Sequence, residues 1–177
     1  MKTAFSILLF FTLSIISAQT NEKASINKYN FMVDLGTDIS LNDYSKTCLN
    51  ANILNGILFQ NGQSLNIGTG VIYEIDESIQ IPLFLDYRIR SNDKKTSPMF
   101  IGEVGGIIFN KSSWKKGLFL KIGFGMDIKN SERFTSQLYI SYKIQQAEVI
   151  DFSSGSFLDT EKKGLKSLGL NYTLVFN

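Results

Sequence analysis

The sequence contains no histidine among its 177 residues. This absence excludes nucleophile systems with an imidazole base, histidine metal sites and imidazole proton shuttles. A serine activated by a carboxylate or lysine base is left open, but no spacing in the chain points to one. We therefore expect a protein without catalytic, cofactor-binding or metal-binding residues.

Cysteine and proline are almost as rare. The single cysteine, Cys48, cannot form an intramolecular disulfide, and it lies far from the region where a lipoprotein carries its lipid. The two prolines, Pro82 and Pro98, form no linker between domains. With 18 basic and 16 acidic residues the charge is nearly balanced, which speaks against a nucleic-acid partner.

The N-terminus has the three-part layout of a secretory signal peptide. Lys2 precedes an uncharged apolar run over 4–16, and small residues follow up to Ala18. The run is shorter than the roughly 20 residues that span a bilayer as a helix, which favours a cleaved signal over an anchor. The predicted organisation is a signal peptide over 1–18, a short polar segment over 19–28 and a β-barrel over 29–177.

The segment LFLKIGFGMDIK, which begins at Leu118, has a period of two. Every second residue from Leu118 to Ile128 is apolar, whereas Lys121, Gly123, Gly125 and Asp127 lie between them and only Phe119 breaks the pattern. Successive side chains of a strand point to opposite faces, so the segment is predicted to be a strand with one wholly apolar face.

The same period recurs in eight segments. They cover about 29–41, 48–59, 64–75, 79–90, 98–109, 118–129, 137–145 and 168–177. Leu54 and Asn55 disturb the second segment and predict a bulge or a change of register, while Asn61-Gly62 predicts a hairpin turn. Each run exceeds the 5 or 6 residues usual in soluble proteins and reaches the 9–11 that tilted transmembrane strands need.

Two architectures produce such an alternation. A soluble lipocalin-like barrel turns its apolar face inward, whereas a membrane barrel turns it outward to lipid. Glycines crowd the polar face, at positions 36, 56, 68, 70, 123, 125 and 169, and they suit a narrow barrel interior better than a water-facing surface. Because strands in lipid must close and eight is the smallest even number seen, we predict an all-β, eight-stranded antiparallel up-and-down transmembrane β-barrel.

This register divides the side chains between an interior and a lipid-facing surface. The predicted interior polar cluster is Asp34, Glu74, Asp86, Arg88, Glu103, Lys121, Asp127 and Lys143, with Arg90 beside it. Asp86, Arg88 and Glu103 are expected to be in contact. An eight-stranded barrel is only wide enough for side chains to fill, so a salt-bridged plug is favoured over a solute path. The predicted lipid-facing residues are Leu118, Leu120, Ile122, Phe124, Met126, Leu168, Leu170 and Leu174.

Aromatic residues and connections predict how the barrel sits in the membrane. Tyr29, Tyr73, Tyr87, Trp114, Phe134 and Phe176 fall near strand ends, where aromatic girdles lie. With both termini in the periplasm, the longest connection, 147–164, becomes an extracellular loop and a possible ligand site.

The segments IPLFLDYRIR, SPMFIGEVGGIIF, GLFLKIGFGMDIK and SQLYISYKI together resemble the outer-membrane β-barrel domain family of small porin-like proteins common in Bacteroidota. The resemblance covers about 29–177 and rests on the pattern and on Ile81-Pro82, Gly105, Gly123 and Gly125. It implies a signal-bearing, eight-stranded integral outer-membrane protein. Such proteins commonly end on an aromatic residue that the barrel-insertion machinery reads; here Asn177 follows Phe176.

These observations predict an integral outer-membrane protein with a structural or surface-interaction role. Its expected partners are outer-membrane lipid and, during biogenesis, the insertion machinery, and we expect a monomer. Two alternatives remain open at this stage. One is a narrow passive channel for small solutes or ions, and the other is a secreted lipocalin-like barrel that binds an apolar ligand.

Overall fold

The computed structural model describes residues 26–42, 47–75, 78–90, 96–111, 114–129, 131, 134–151 and 159–176. The predicted signal peptide over 1–18 lies outside these residues. No helix among them is long and apolar enough to cross a membrane. Eight strands are formed, namely β1 (Ile26–Ser40), β2 (Cys48–Phe59), β3 (Gln63–Glu74), β4 (Ser78–Arg90), β5 (Thr96–Lys111), β6 (Trp114–Lys129), β7 (Phe134–Asp151) and β8 (Asp159–Phe176).

Each strand pairs antiparallel with the next, and the last pairs with the first. The closing ladder joins β1 to β8 from Phe31↔Phe176 to Ser40↔Ser167. Closure leaves no edge between the first and last strands, which satisfies the backbone groups of both. The predicted all-β, eight-stranded antiparallel up-and-down barrel is confirmed.

The up-and-down path gives the barrel two ends. The end that we call the terminal end holds the start of β1, the end of β8 and the connections β2–β3, β4–β5 and β6–β7. The other four connections lie at the far end. At the terminal end Gly62 has a φ of 79°, and its N–H donates to the Phe59 carbonyl at 3.1 Å, so the turn predicted at Asn61-Gly62 is present.

The first two strands depart from the sequence prediction. β1 begins at Ile26, inside the segment expected to be polar and outside the barrel, because Ile26 and Lys28 pair with the end of β2. The bulge expected at Leu54 and Asn55 is wrong, since both ladders of β2 pass these residues in constant register. Leu54 points inward, and the outward Asn55 is tolerated because Tyr29 Oη donates to its Oδ1 at 2.5 Å.

The long loop predicted over 147–164 is also wrong. The ladder of β7 and β8 continues from Ala147↔Lys163 to Asp151↔Asp159, so only 152–158 connects the strands. Adjacent apolar residues at Val149 and Ile150 break the period of two there, although the backbone pairing persists. The connection between the fifth and sixth segments, predicted at 98–109 and 118–129, is also shorter than expected, because β5 reaches Lys111 and β6 begins at Trp114.

Phe119, the exception in the alternation of β6, belongs to the barrel interior. It is 5% exposed and meets Phe84 edge-on, with ring centroids 5.9 Å apart. Gly105 lies between them in the cross-strand row, and a Cβ there would come within 2.5 Å of Phe84 Cβ. The interior is therefore not wholly polar. It contains an apolar cluster formed by Met32, Cys48, Leu54, Ile72, Phe84, Ile107, Phe119, Leu165 and Val175.

Candidate functional site

The polar side chains of the alternating strands converge inside the barrel. The eight residues assigned to the interior polar cluster are all buried, none more than 8% exposed, and so is Arg90. Each sits on the same face of its strand as neighbouring buried residues, because the period of two holds along the described strands. These side chains form three layers along the barrel axis.

Arg88 organises the central layer. Its Nε donates to both carboxylate oxygens of Asp86 at 3.0 Å, and its Nη1 donates to Gln137 Oε1 and, at 3.2 Å, to Thr173 Oγ1. Because β4 and β8 stand opposite one another in a ring of eight, the contact with Thr173 crosses the lumen. The layer therefore closes the barrel from wall to wall.

Asp34 extends this layer from β1. Its Oδ1 accepts hydrogen bonds from Thr173 Oγ1 at 2.5 Å and from Tyr139 Oη at 2.9 Å. The Tyr139 ring lies 5.7 Å from the Arg88 guanidinium and 5.4 Å from Lys121 Nζ, distances at which cations are attracted to an aromatic face. Asp34 thus connects to both buried cations through neutral hydroxyl groups.

Glu103 does not complete the expected trio with Asp86 and Arg88. It stands directly opposite Asp86 in the β4–β5 ladder, but its ion pair is with Lys121, whose Nζ lies 2.9 Å from Oε1. Lys121 is its direct neighbour on the other side, in the β5–β6 ladder. A cross-strand row of Asp86, Glu103 and Lys121 thereby places two acids beside one another and a base at the end.

Two further layers lie towards the ends. At the terminal end Arg90 Nη1 is 3.4 Å from Asp127 Oδ1, which also accepts from Gln137 Nε2 at 2.7 Å. Towards the far end Lys143 Nζ donates to Asp38 Oδ2 at 2.5 Å, and Ser78 Oγ donates to Glu74 Oε2 at 2.8 Å.

Sequence reasoning missed several members of this network. Asp38 lies on the same inward register as Asp34, four residues later, so the alternation could have found it. Gln137, Tyr139 and Thr173 carry no charge and were not part of the predicted interior polar cluster, although they join its charged groups. Among the described residues no cluster of His, Cys, Asp and Glu could hold a metal ion.

The outer surface is apolar. Seven of the eight residues assigned to the lipid-facing surface are exposed on it, from Leu120 at 38% to Leu118 at 72%, and Leu174 is half-buried. Of the aromatic residues near strand ends, Tyr29, Tyr73, Phe134 and Phe176 are exposed and Tyr87 is half-buried. The side chain of Trp114 lies outside the described part of the structure.

No protein-family model and no curated protein matches the chain. Solved structures do match. Neisserial surface protein A is 8% identical, with a TM-score of 0.62, covering 88% of this chain and 99% of its own. The outer membrane protein OprG from Pseudomonas aeruginosa is 12% identical, with a TM-score of 0.54, covering 86% of this chain and 97% of its own. The outer membrane enzyme PagL is 11% identical, with a TM-score of 0.48 and coverages of 80% and 97%. At such identities the likeness to Neisserial surface protein A and OprG shows a shared fold.

Proposed function

We propose that this chain is an integral outer-membrane β-barrel protein with a structural or surface-interaction role and no catalytic activity. The observation that carries the proposal is the inversion of its two faces, with apolar side chains outside and charged side chains inside. A soluble lipocalin-like barrel would need the opposite arrangement. Two structures of similar fold, Neisserial surface protein A and OprG, are by their names surface or outer-membrane proteins.

The height of the apolar surface agrees with a membrane. On β4 the outward residues are apolar from Ile79 to Ile89, ten residue steps, which correspond to about 33 Å along a strand. A strand tilt of about 40° reduces this length to about 25 Å, the height of the apolar band of outer-membrane barrels. Exposed apolar area of this extent would make a soluble protein aggregate.

The central layer supports a structural role over a channel. Arg88 and its partners from β1, β4, β7 and β8 fill the lumen, and each charge in the layer has a hydrogen-bonding partner. A solute path along the axis would require these bonds to break. The absence of histidine in the sequence supports a protein without catalysis.

The orientation is part of the proposal. Both termini face the periplasm, together with the connections β2–β3, β4–β5 and β6–β7. The far end, which holds the two longest connections, 41–47 and 152–158, faces outward. Outer-membrane lipid and the insertion machinery are the proposed partners, the chain is proposed to be monomeric, and the tip of the β7–β8 hairpin is the proposed contact site for an extracellular ligand.

Extraction and electrophoresis test the membrane assignment. The mature protein should require detergent, and its unboiled form should migrate differently from the boiled form on a denaturing gel. An epitope inserted between β7 and β8 should be accessible on intact cells, whereas one inserted at the β2–β3 turn should not. A protein that stays monomeric in detergent-free buffer would contradict the membrane assignment, and steady conductance of the unmodified protein in planar bilayers would contradict the plug.

A further inference from the structure

A small cavity lies inside the barrel, in the half nearer the far end. It measures about 20 Å³, enough for about one water molecule. Six of its ten lining residues are polar or charged, namely Asp38, Asn50, Asn52, Glu103, Lys121 and Lys143. The apolar Phe84 and Phe119 close one side.

Three oxygens of this wall are buried acceptors without a donor. Asp38 Oδ1, Asn50 Oδ1 and Asn52 Oδ1 have no hydrogen-bond partner among the described residues, and all three side chains are less than 8% exposed. The amide nitrogen of Asn52 faces Asp34 Oδ2 at 3.5 Å, which turns its oxygen away from that carboxylate. Buried polar groups are normally paired, so such a concentration of unpaired acceptors points to a bound donor.

Gly36 and Gly169 extend the same layer. The amide oxygens of Asn50 and Asn171 both lie within 2.7 Å of the point that a Cβ on Gly36 would occupy, so they are at most about 5 Å apart. Asn171 Oδ1 also lacks a partner among the described residues. The bond made by this amide is at its nitrogen, since Nδ2 donates to Ser141 Oγ at 2.9 Å. Asp38 Oδ1 lies 2.5 Å from the corresponding point on Gly169. One water molecule donating at about 2.8 Å can bridge two acceptors at the separation found over Gly36.

We propose that this layer is a hydration site in which ordered water bridges the oxygens of Asp38, Asn50, Asn52 and Asn171. Water fits better than a metal cation because the two carboxylates of the wall, Glu103 and Asp38, are already paired with the ammonium groups of Lys121 and Lys143, which leaves no uncompensated negative charge for a cation. An ammonium has three N–H donors, and water can accept from it while donating to the amide oxygens. The site does not depend on the membrane location of the barrel.

Water-to-amide NMR on ¹⁵N-labelled protein in detergent micelles tests the site. Dipolar cross-peaks from water, which change sign between laboratory-frame and rotating-frame experiments, should appear at the side-chain amides of Asn50, Asn52 and Asn171. Gln137 is the matched control, because it is equally buried and both of its amide atoms are paired directly, Oε1 with Arg88 Nη1 and Nε2 with Asp127 Oδ1 at 2.7 Å. No cross-peak is expected there.

Three outcomes would overturn the proposal. They are the absence of dipolar cross-peaks at the amides of Asn50, Asn52 and Asn171, cross-peaks of equal strength at Gln137, and shifts of the three site amides when choline chloride is replaced by sodium or potassium chloride at equal ionic strength. The last result would assign the site to a cation. Gly36→Ala should remove the Asn50 and Asn171 cross-peaks, whereas Gly106→Ala should keep them. Gel migration of the unboiled protein reports whether each variant folds. If Gly36→Ala does not fold, the cross-peaks of the unmodified protein decide the test.

Discussion

Arg88 on β4 donates a hydrogen bond across the barrel to Thr173 on β8, with 3.2 Å between Nη1 and Oγ1. The same guanidinium holds Asp86 on its own strand, so one side chain joins opposite walls. We therefore expect the stability of the central layer to depend most on the Arg88 guanidinium.

Replacement of Arg88 by alanine should destabilise the barrel strongly. The variant leaves the buried Asp86 carboxylate without its cation, a change that costs about 3–5 kcal/mol. The midpoint of urea unfolding in detergent or lipid vesicles measures the loss. Lys166→Ala, at an exposed position, is the control and should shift the midpoint little. Equal midpoints for both variants would show that the Arg88 layer contributes no stability.

A double-mutant cycle should detect coupling between Glu103 and Lys121. Glu103→Gln leaves the Lys121 ammonium without its buried counterion, and Lys121→Met leaves the carboxylate without its cation. The double variant should recover part of the loss, with a coupling free energy of about 0.5–3 kcal/mol. Additive unfolding free energies would contradict a direct ion pair.

Alanine at Gly125 should disturb the packing of β6 against β7. Its Cβ would lie 2.6 Å from Tyr139 Cα, closer than non-bonded carbon atoms approach. We expect a lower urea midpoint and slower folding into vesicles. Gly106→Ala provides the matched control, since its Cβ would meet only the Gly117 carbonyl oxygen, at 3.7 Å. A similar loss in both variants would mean that general strand effects, and not contact with Tyr139, set the cost.

Pro82 interrupts the β3–β4 ladder. The pairs on either side of the gap are Thr69↔Leu83 and Ile72↔Gln80, and Gly70 and Val71 are not paired with β4. Proline has no N–H, and the hydroxyl of Thr69 donates instead to the Pro82 carbonyl at 2.8 Å. Pro82→Val should restore a donor and slow amide exchange at Gly70, which lies opposite position 82 in this register, with a gain of about 1 kcal/mol for one hydrogen bond. Pro98→Val is the control, because position 98 lies beyond the last recorded β4–β5 pair. Unchanged exchange at Gly70 would show that the gap has another cause.

Lipid quenching of tryptophan fluorescence should separate the two faces of β6. In a Trp114→Phe background, a tryptophan at Phe124, which is 59% exposed, should be quenched by brominated lipid. A tryptophan at the inward Phe119 should be quenched much less. Equal quenching at both positions would contradict the proposed lipid-facing surface. The unboiled gel migration of each variant checks that the barrel has formed.

The period of two was sufficient to predict the closed eight-stranded barrel, because each strand on the barrel wall must separate one apolar and one polar face. The prediction failed where a strand no longer separates an apolar face from a polar one. From Ala147 to Asp151 the alternation is lost, although the backbone remains paired with β8. It also failed to choose ion-pair partners. Glu103 has Asp86 opposite it on one neighbouring strand and Lys121 opposite it on the other. These contacts depend on the register between the strands, which the sequence pattern of a single strand does not contain.

The alternation has a further consequence for the export that we propose for this chain. Stable capture of a segment by a bilayer as a helix requires roughly 20 consecutive apolar residues. In the eight strands no more than three large apolar residues follow one another, as at Met99 to Ile101. None of the strands would therefore be retained as a transmembrane helix in the membrane that the chain crosses before it reaches the outer membrane. The continuous apolar surface forms only when the barrel closes.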